Sequence, residues 1–270
     1  MSASEVTQLR FANALDGYAF DPELWETTNG GASWVRVATP GTVTELEAAD
    51  GEAYALTCAT GPASCGSVEL LRSPVGSLEW QKVTPVGLVY GAQFAVSGPS
   101  LYVLSADPPR PFVLLYSADK GATFTNRVEP CAAGLGGTVT PAADGSPTIW
   151  AVCPTGTEAT VMLSTNGGTT WRVAEPTEAG FPNHVGLSAA SSSVALVWPA
   201  PFAELPAAMA RTTNGGKSYS AVLSSSGRVL WAGFSDPVRA YALLVTASGP
   251  TQLFESNDGG AKWFRVVIKS

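Results

Sequence analysis

One eight-residue pattern recurs six times along this chain, and its spacing constrains the fold more than any other feature. The copies are Thr27–Trp34, Ser73–Trp80, Ser117–Phe124, Ser164–Trp171, Thr212–Tyr219 and Ser256–Trp263, aligned without gaps. Each ends on an aromatic residue (Trp34, Trp80, Phe124, Trp171, Tyr219, Trp263), and neighbouring aromatics lie 46, 44, 47, 48 and 44 residues apart. Gly-rich turns and short alternating apolar runs fill that period, which is the signature of propeller blades rather than of helical repeats. The expected fold is therefore all-β: a six-bladed β-propeller with four antiparallel strands per blade and one copy of the pattern between the third and fourth strands. Its blades fall at about 5–38, 42–84, 89–128, 136–174, 184–223 and 228–268, within a single domain spanning 1–270.

Each position of the pattern has a physical reason. The acid or amide (Asn29, Asp119, Asn166, Asn214, Asp258) can accept from backbone N–H groups two residues on and fix a turn. The glycine two places later (Gly31, Gly121, Gly168, Gly216, Gly260) can adopt the positive φ of a tight hairpin. The closing aromatic then buries a large apolar face between sheets. The second copy is degenerate: Val75 and Ser77 replace the acid and the glycine, while Ser73 and Trp80 remain. The pattern resembles the Asp box, the BNR-type repeat of sialidases, sortilin-type receptors and photosystem II assembly-factor propellers, and it covers nearly the whole chain. The resemblance implies folding staples rather than metal or sugar sites.

Around each copy the chain divides into four strands. In the first unit these are Val6–Phe11, Tyr18–Phe20, Leu24–Thr27 and Trp34–Val37, and later units repeat the scheme with second strands such as Ala53–Leu56, Leu101–Leu104 and Ile149–Val152. Turns between first and second strands carry Asp16-Gly17, Asp50-Gly51, Ser97-Gly98, Asp144-Gly145 and Asp236-Pro237, which are hairpin signals. The chain opens on a first strand and ends on a fourth, Trp263–Ile268, so closure of the ring is expected by packing of the first blade on the sixth, with no shared blade.

Composition narrows the function. Hydrophobic residues make up 45% and charged residues only 14%, which excludes intrinsic disorder. A net charge of −7 argues against a nucleic-acid groove, which needs clustered Lys and Arg, and against docking on an anionic membrane. No apolar run approaches a membrane-spanning length. The start, Met1-Ser2-Ala3-Ser4, lacks the regions of a signal peptide and reads as the beginning of a trimmed mature domain. The four cysteines form two local pairs, Cys58 with Cys65 and Cys131 with Cys153, neither spaced as a zinc site, beside a single histidine, His184. Read as disulfides rather than buried thiols, they imply an extracellular or cell-envelope location. No cofactor, no metal and a monomeric state are expected.

In a propeller the repeated turns gather on one face, and the opposite face collects the loops between strands two and three and between blades, where ligands commonly bind. The longest loops fall there: 57–68, 105–112, 129–138, 174–185 and 198–207. They carry Asp107, Glu129, Glu175 and Glu204 against Arg110, with Glu158 on the same face, Trp198 and Phe202 among prolines and His184 opening the fifth blade near the axis. These nine are the candidate ligand-face residues. Sialidase activity is not expected, since Leu9-Arg10-Phe11-Ala12 keeps only the arginine of that family's Phe/Tyr-Arg-Ile-Pro signature and only Arg110 and Arg228 lie elsewhere near the face. The expectation is a non-enzymatic propeller that binds a protein or glycan; the alternative is a carbohydrate-active hydrolase or lyase using carboxylates of the same face.

Overall fold

The computed structural model describes residues 6–59, 68–83, 92–105, 113–131, 137–156, 158–174, 181–182, 185–199, 208–224, 228–245, 249 and 251–267. Among these every regular element is a strand, and the strands form the six antiparallel blades of a β-propeller. Each sheet takes its strands from one continuous stretch of chain, and among the described residues none is shared between sheets. The chain divides into two compact units, Met1–Asn126 and Arg127–Ser270, and the division falls in the last strand of blade three.

In the first unit, blade one comprises Val6–Phe11, Gly17–Pro22, Leu24–Thr27 and Val35–Val37. Blade two comprises Thr42–Ala49, Glu52–Cys58, Val68–Pro74 and Gln81–Lys82. Blade three follows with Gln93–Ser97, Ser100–Ser105, Val113–Ser117 and Thr125–Arg127. Second strands are covered on both faces, which is why Ala53–Cys58 and Leu101–Ser105 are buried without interruption. The core lies between blades: Tyr18, Phe20 and Leu24 of blade one pack on Val43, Leu46 and Ala55 of blade two, and Tyr54, Leu56 and Leu70 of blade two on Phe94 and Leu101 of blade three.

The second unit repeats this plan. Blade four holds Thr138–Pro141, Ile149–Pro154, Glu158–Ser164 and Arg172–Val173, and gains a short fifth strand, Phe181–Pro182, paired with Glu158–Ala159. Blade five (Val185–Ala189, Ala195–Pro199, Ala208–Thr212, Ser220–Ser224) and blade six (Arg228–Phe234, Ala240–Val245, Thr251–Ser256, Phe264–Arg265) complete it. Closing aromatics pack into the cluster shared with the preceding blade: Trp80 and Phe124 in the first unit, Tyr219 and Trp263 in the second. Partial burial of one such side chain stabilises the junction by about 1 to 2 kcal/mol.

The repeated turn works through its hydroxyl more than the sequence suggests. Ser164 is 1% exposed, and its Oγ accepts from the N–H of Asn166 (3.3 Å) and Gly168 (2.9 Å) while donating to Asn166 Oδ1 (2.9 Å). The amide oxygen accepts from the N–H of Thr170, four residues on rather than two. Two consecutive residues take positive φ, Gly167 at 65° and Gly168 at 82°, where one was expected. In the degenerate second copy only Gly76 does so, and Ser73 Oγ donates instead to Ser77 O at 2.9 Å. The Asp16-Gly17 hairpin also differs from expectation. Asn13 Oδ1 accepts from the N–H of Leu15 and Asp16, so the turn spans Ala12–Asp16 and Gly17 already opens a strand.

Cys131 and Cys153 form a disulfide with Cα atoms 5.1 Å apart, tying the entry to blade four onto its second strand. Cys58 is also disulfide-bonded; its expected partner, Cys65, lies outside the described residues.

Candidate functional site

Three polar features gather at the junction of blades one and two. The first is a cavity at its loop end. Blade one turns sharply between its second and third strands at Glu23, and its last strand hands over to blade two through Ala38–Gly41. Between these lies a cavity of about 590 Å³ lined by Pro22, Glu23, Leu24, Arg36, Val37, Thr39 and Thr42, among others. That volume lies in the range of about 300 to 1,000 Å³ common to small-molecule sites. Arg36 Nη2 contacts Glu23 Oε1 at 2.5 Å, with Arg36 exposed and Glu23 half-buried. Asp21, at the turn, sits at φ 63°, a conformation that costs a non-glycine residue energy. Its carboxylate accepts from Thr7 Oγ1 at 2.6 Å, which helps to hold it there.

The second feature lies on the first strands. A bulge between Val43 and Glu45 shifts the register of blade two's first strand, and beyond it Glu45 and Glu47 fall on the same side. Glu47 Oε1 accepts from Arg10 Nη2 of blade one at 2.6 Å, and Glu45 Oε2 accepts from the Phe94 N–H of blade three at 3.4 Å. Burial pushes the Glu45 carboxyl up to about 8, the charge of Glu47 adds to this, and the Phe94 N–H and Arg10 oppose it. Glu47 is raised by burial as well, against the pull of Arg10. A carboxyl that keeps its proton near neutrality beside one held by a guanidinium is the raw material of general acid and base chemistry.

The third feature closes the opposite end. Arginines tie neighbouring blades elsewhere within each unit: Arg72 donates to Lys120 O at 2.8 Å, Arg172 to Gly215 O at 2.9 Å and Arg211 to Gly259 O at 2.7 Å. Arg72 and Arg211 directly precede the hydroxyl of their turns, and in blade one that place is taken by Glu26. Glu26 is 2% exposed, and its Oε1 accepts from Trp80 Nε1 at 2.6 Å. Its Oε2 is buried without a hydrogen-bond partner, as are Tyr18 Oη and Glu52 Oε2. Burial raises the Glu26 carboxyl to about 7, with Trp80 lowering it and Asp16 raising it further. Tyr18, directly across the strand pair from Glu26, is raised too, by burial and then by the charge of Glu26.

Of the nine residues expected on the ligand face, Asp107, Arg110, Glu175, His184, Phe202 and Glu204 lie outside the described residues. Glu158 is exposed at the start of its strand. Glu129 is half-buried, with Oε1 buried and unpartnered and its carboxyl raised by burial. Trp198 requires correction. It is 6% exposed in the core between blades five and six, its ring occupying the space that a side chain at Gly186, its cross-strand partner, would need. The exposed tryptophan of that unit is Trp231, 43% exposed on the first strand of blade six and lying over Gly233. Sequence reasoning passed over Trp231, Glu23, Arg36, Glu26, Glu45 and Glu47. One signal for the last pair was available: two acids two residues apart inside a predicted first strand. No cluster of three or more potential metal-ligating side chains occurs among the described residues, nor any helix long and apolar enough to cross a membrane.

No protein-family model and no curated protein matches the chain. Solved structures do, at the level of the fold. The chain is similar to the GH74 xyloglucanase from Xanthomonas campestris (16% identity, TM-score 0.67), with 97% of this chain aligned to 45% of the enzyme. It is also similar to YCF48 bound to D1 peptide (14% identity, TM-score 0.64) and to YCF48 from Cyanidioschyzon merolae (15% identity, TM-score 0.63). In both, 97% of this chain is aligned, to 80% and 84% of those chains respectively. The chain thus spans less than half of the xyloglucanase and most of either YCF48.

Proposed function

We propose that this protein is a secreted or cell-envelope binding propeller, monomeric and without catalytic activity, that takes a glycan or protein partner at its loop end. On this reading the repeated turns are Asp boxes that staple the blades and carry no ligand. The observation that carries the proposal is the cavity between blades one and two. It opens at the end of the blades where ligand binding is expected, and among the described residues its two charged lining groups, Arg36 and Glu23, neutralise each other. A peptide-bound YCF48 among proteins of similar fold fits a binding role. The disulfide fits an oxidising compartment. A thermal-shift screen of oligosaccharides and peptides tests it: a ligand at a hundred times its dissociation constant adds about 2.7 kcal/mol of stability. Binding without turnover is the expected result, and detectable cleavage of a bound glycan would overturn it.

A second reading, a glycoside hydrolase or lyase, draws on a different observation, the Glu45 and Glu47 pair. Glu45 would act as the protonated acid and Glu47, bound to Arg10, as its partner carboxyl. Glu45→Gln would then abolish turnover of a glycan substrate while leaving its binding intact.

A further inference from the structure

The lining of the loop-end cavity discriminates among ligands by chemistry. One part is apolar: Pro22 and Ala38 are exposed along it, backed by Leu24 and Val37, which pair across the strands and are buried in the core beneath. The other part is polar, made by the Arg36–Glu23 pair with Thr39 and Thr42. An anionic ligand would compete with Glu23 for the guanidinium. A cation would compete with Arg36 for the carboxylate. Either would separate charges that already satisfy each other at 2.5 Å. A purely apolar ligand would bury the pair without replacing its water, which is costly.

What fits without loss is a neutral molecule with donors and acceptors on one edge and an apolar face on the other. Neighbouring sugar hydroxyls accept from a guanidinium and donate to a carboxylate at once, while the C–H face of the ring lies on aliphatic side chains. An extended peptide turns successive N–H and C=O groups to opposite sides, and so presents this edge less well. We infer that the cavity binds a short neutral oligosaccharide, with Arg36 and Glu23 as the paired donor and acceptor. The inference rests on the reading of the chain as a binding propeller.

Isothermal titration of the full chain with cellotetraose, xylotetraose, maltotetraose and an oligogalacturonate tests it, alongside Arg36→Met and Glu23→Gln. Arg36 is largely exposed and its loss leaves the core intact, and Glu23→Gln keeps the shape of the site should Arg36→Met fail to fold. At least one neutral sugar is expected to bind, the oligogalacturonate at least tenfold more weakly, and each variant to lose about tenfold or more in affinity. Tighter binding of the acidic sugar, or neutral binding unchanged in both variants, overturns the assignment. No heat from any neutral sugar overturns it too: if a peptide then binds at the cavity, only the ligand class falls, whereas release of reducing ends brings down the binding-propeller reading itself.

Discussion

Gly216 and Gly145 have nearly the same backbone conformation, at φ 86° and 71°, and belong to the same compact unit, but their surroundings differ completely. A Cβ at Gly145 meets nothing within 4 Å. At Gly216 it would overlap the carbonyl and Cβ of Ala174 closer than real contacts allow. That same Ala174 carbonyl accepts from Tyr219 Oη at 2.8 Å. Alanine at either site incurs about 1 to 2 kcal/mol for left-handed backbone. At position 216, overpacking adds about 1 to 3 kcal/mol and a weakened Tyr219 bond about 1. Gly145→Ala should therefore cost about 1 to 2 kcal/mol and Gly216→Ala about 3 to 6, read from urea unfolding followed by tryptophan fluorescence. Tyr219→Phe should cost less in the Gly216→Ala background than alone, because the bond it removes is already strained. Equal losses at the two glycines would refute the reasoning and mean that the turn moves away from Ala174 at little cost.

Three further outcomes follow from other parts of the structure. Replacing Cys131 and Cys153 together by alanine should cost the second unit about 3 kcal/mol, from a bridge of sequence separation 22; a urea midpoint insensitive to reductant would contradict this. Because folding raises the Glu26 carboxyl from 4.5 to about 7, its protonated form is favoured: that stability is full below pH 4.5 and falls by about 3 kcal/mol as pH rises through 7. Glu26→Gln should flatten the profile and stabilise the fold at pH 8, and wild-type midpoints that do not fall over this window would dismiss the assignment. Ser164→Ala leaves two N–H groups without their buried acceptor and should cost about 2 kcal/mol or more, whereas Val173→Ala, exposed, should cost little.

The blades were legible because the repeat is a local code. The hydroxyl, the acid or amide, the glycines and the aromatic each act within eight residues, and alternating apolar runs mark the strands around them. Leu24–Thr27 and Val6–Phe11 were read to the residue. The candidate site was far less legible because its parts meet through register and bulges. The i, i+2 spacing puts Glu45 and Glu47 on one side of their strand, but which side is set by the slip after Val43, and Arg10 reaches Glu47 from another blade, 37 positions away. Trp198 misled for a related reason: a tryptophan among prolines signals exposure, yet the missing side chain at Gly186 on the adjacent strand gives its ring a buried place.

The position of the degenerate repeat bears on function more than its sequence alone conveys. Natural folds break their own local rules mainly where something other than stability is being served. Blade two alone lacks the acid and the second glycine of its turn, and its junction with blade one is where the unusual chemistry collects. At the turn end, the residue before the hydroxyl, an arginine in blades two and five, is a buried Glu26 holding Trp80. Midway, beyond a bulge, Glu47 meets Arg10 while Glu45 beside it reaches the Phe94 N–H. At the loop end the same two blades part to form the 590 Å³ cavity. A junction under selection for rigidity alone would be expected to keep the complete turn of its neighbours. Restoring the consensus by Val75→Asp with Ser77→Gly exchanges the packing of Val75 on the core of the junction for the regained turn hydrogen bonds, so stability should change by less than about 1 kcal/mol in urea unfolding. If ligand binding at the cavity is unchanged in that variant, the degenerate turn is drift; if affinity falls while stability holds, the turn was relaxed in the service of the site.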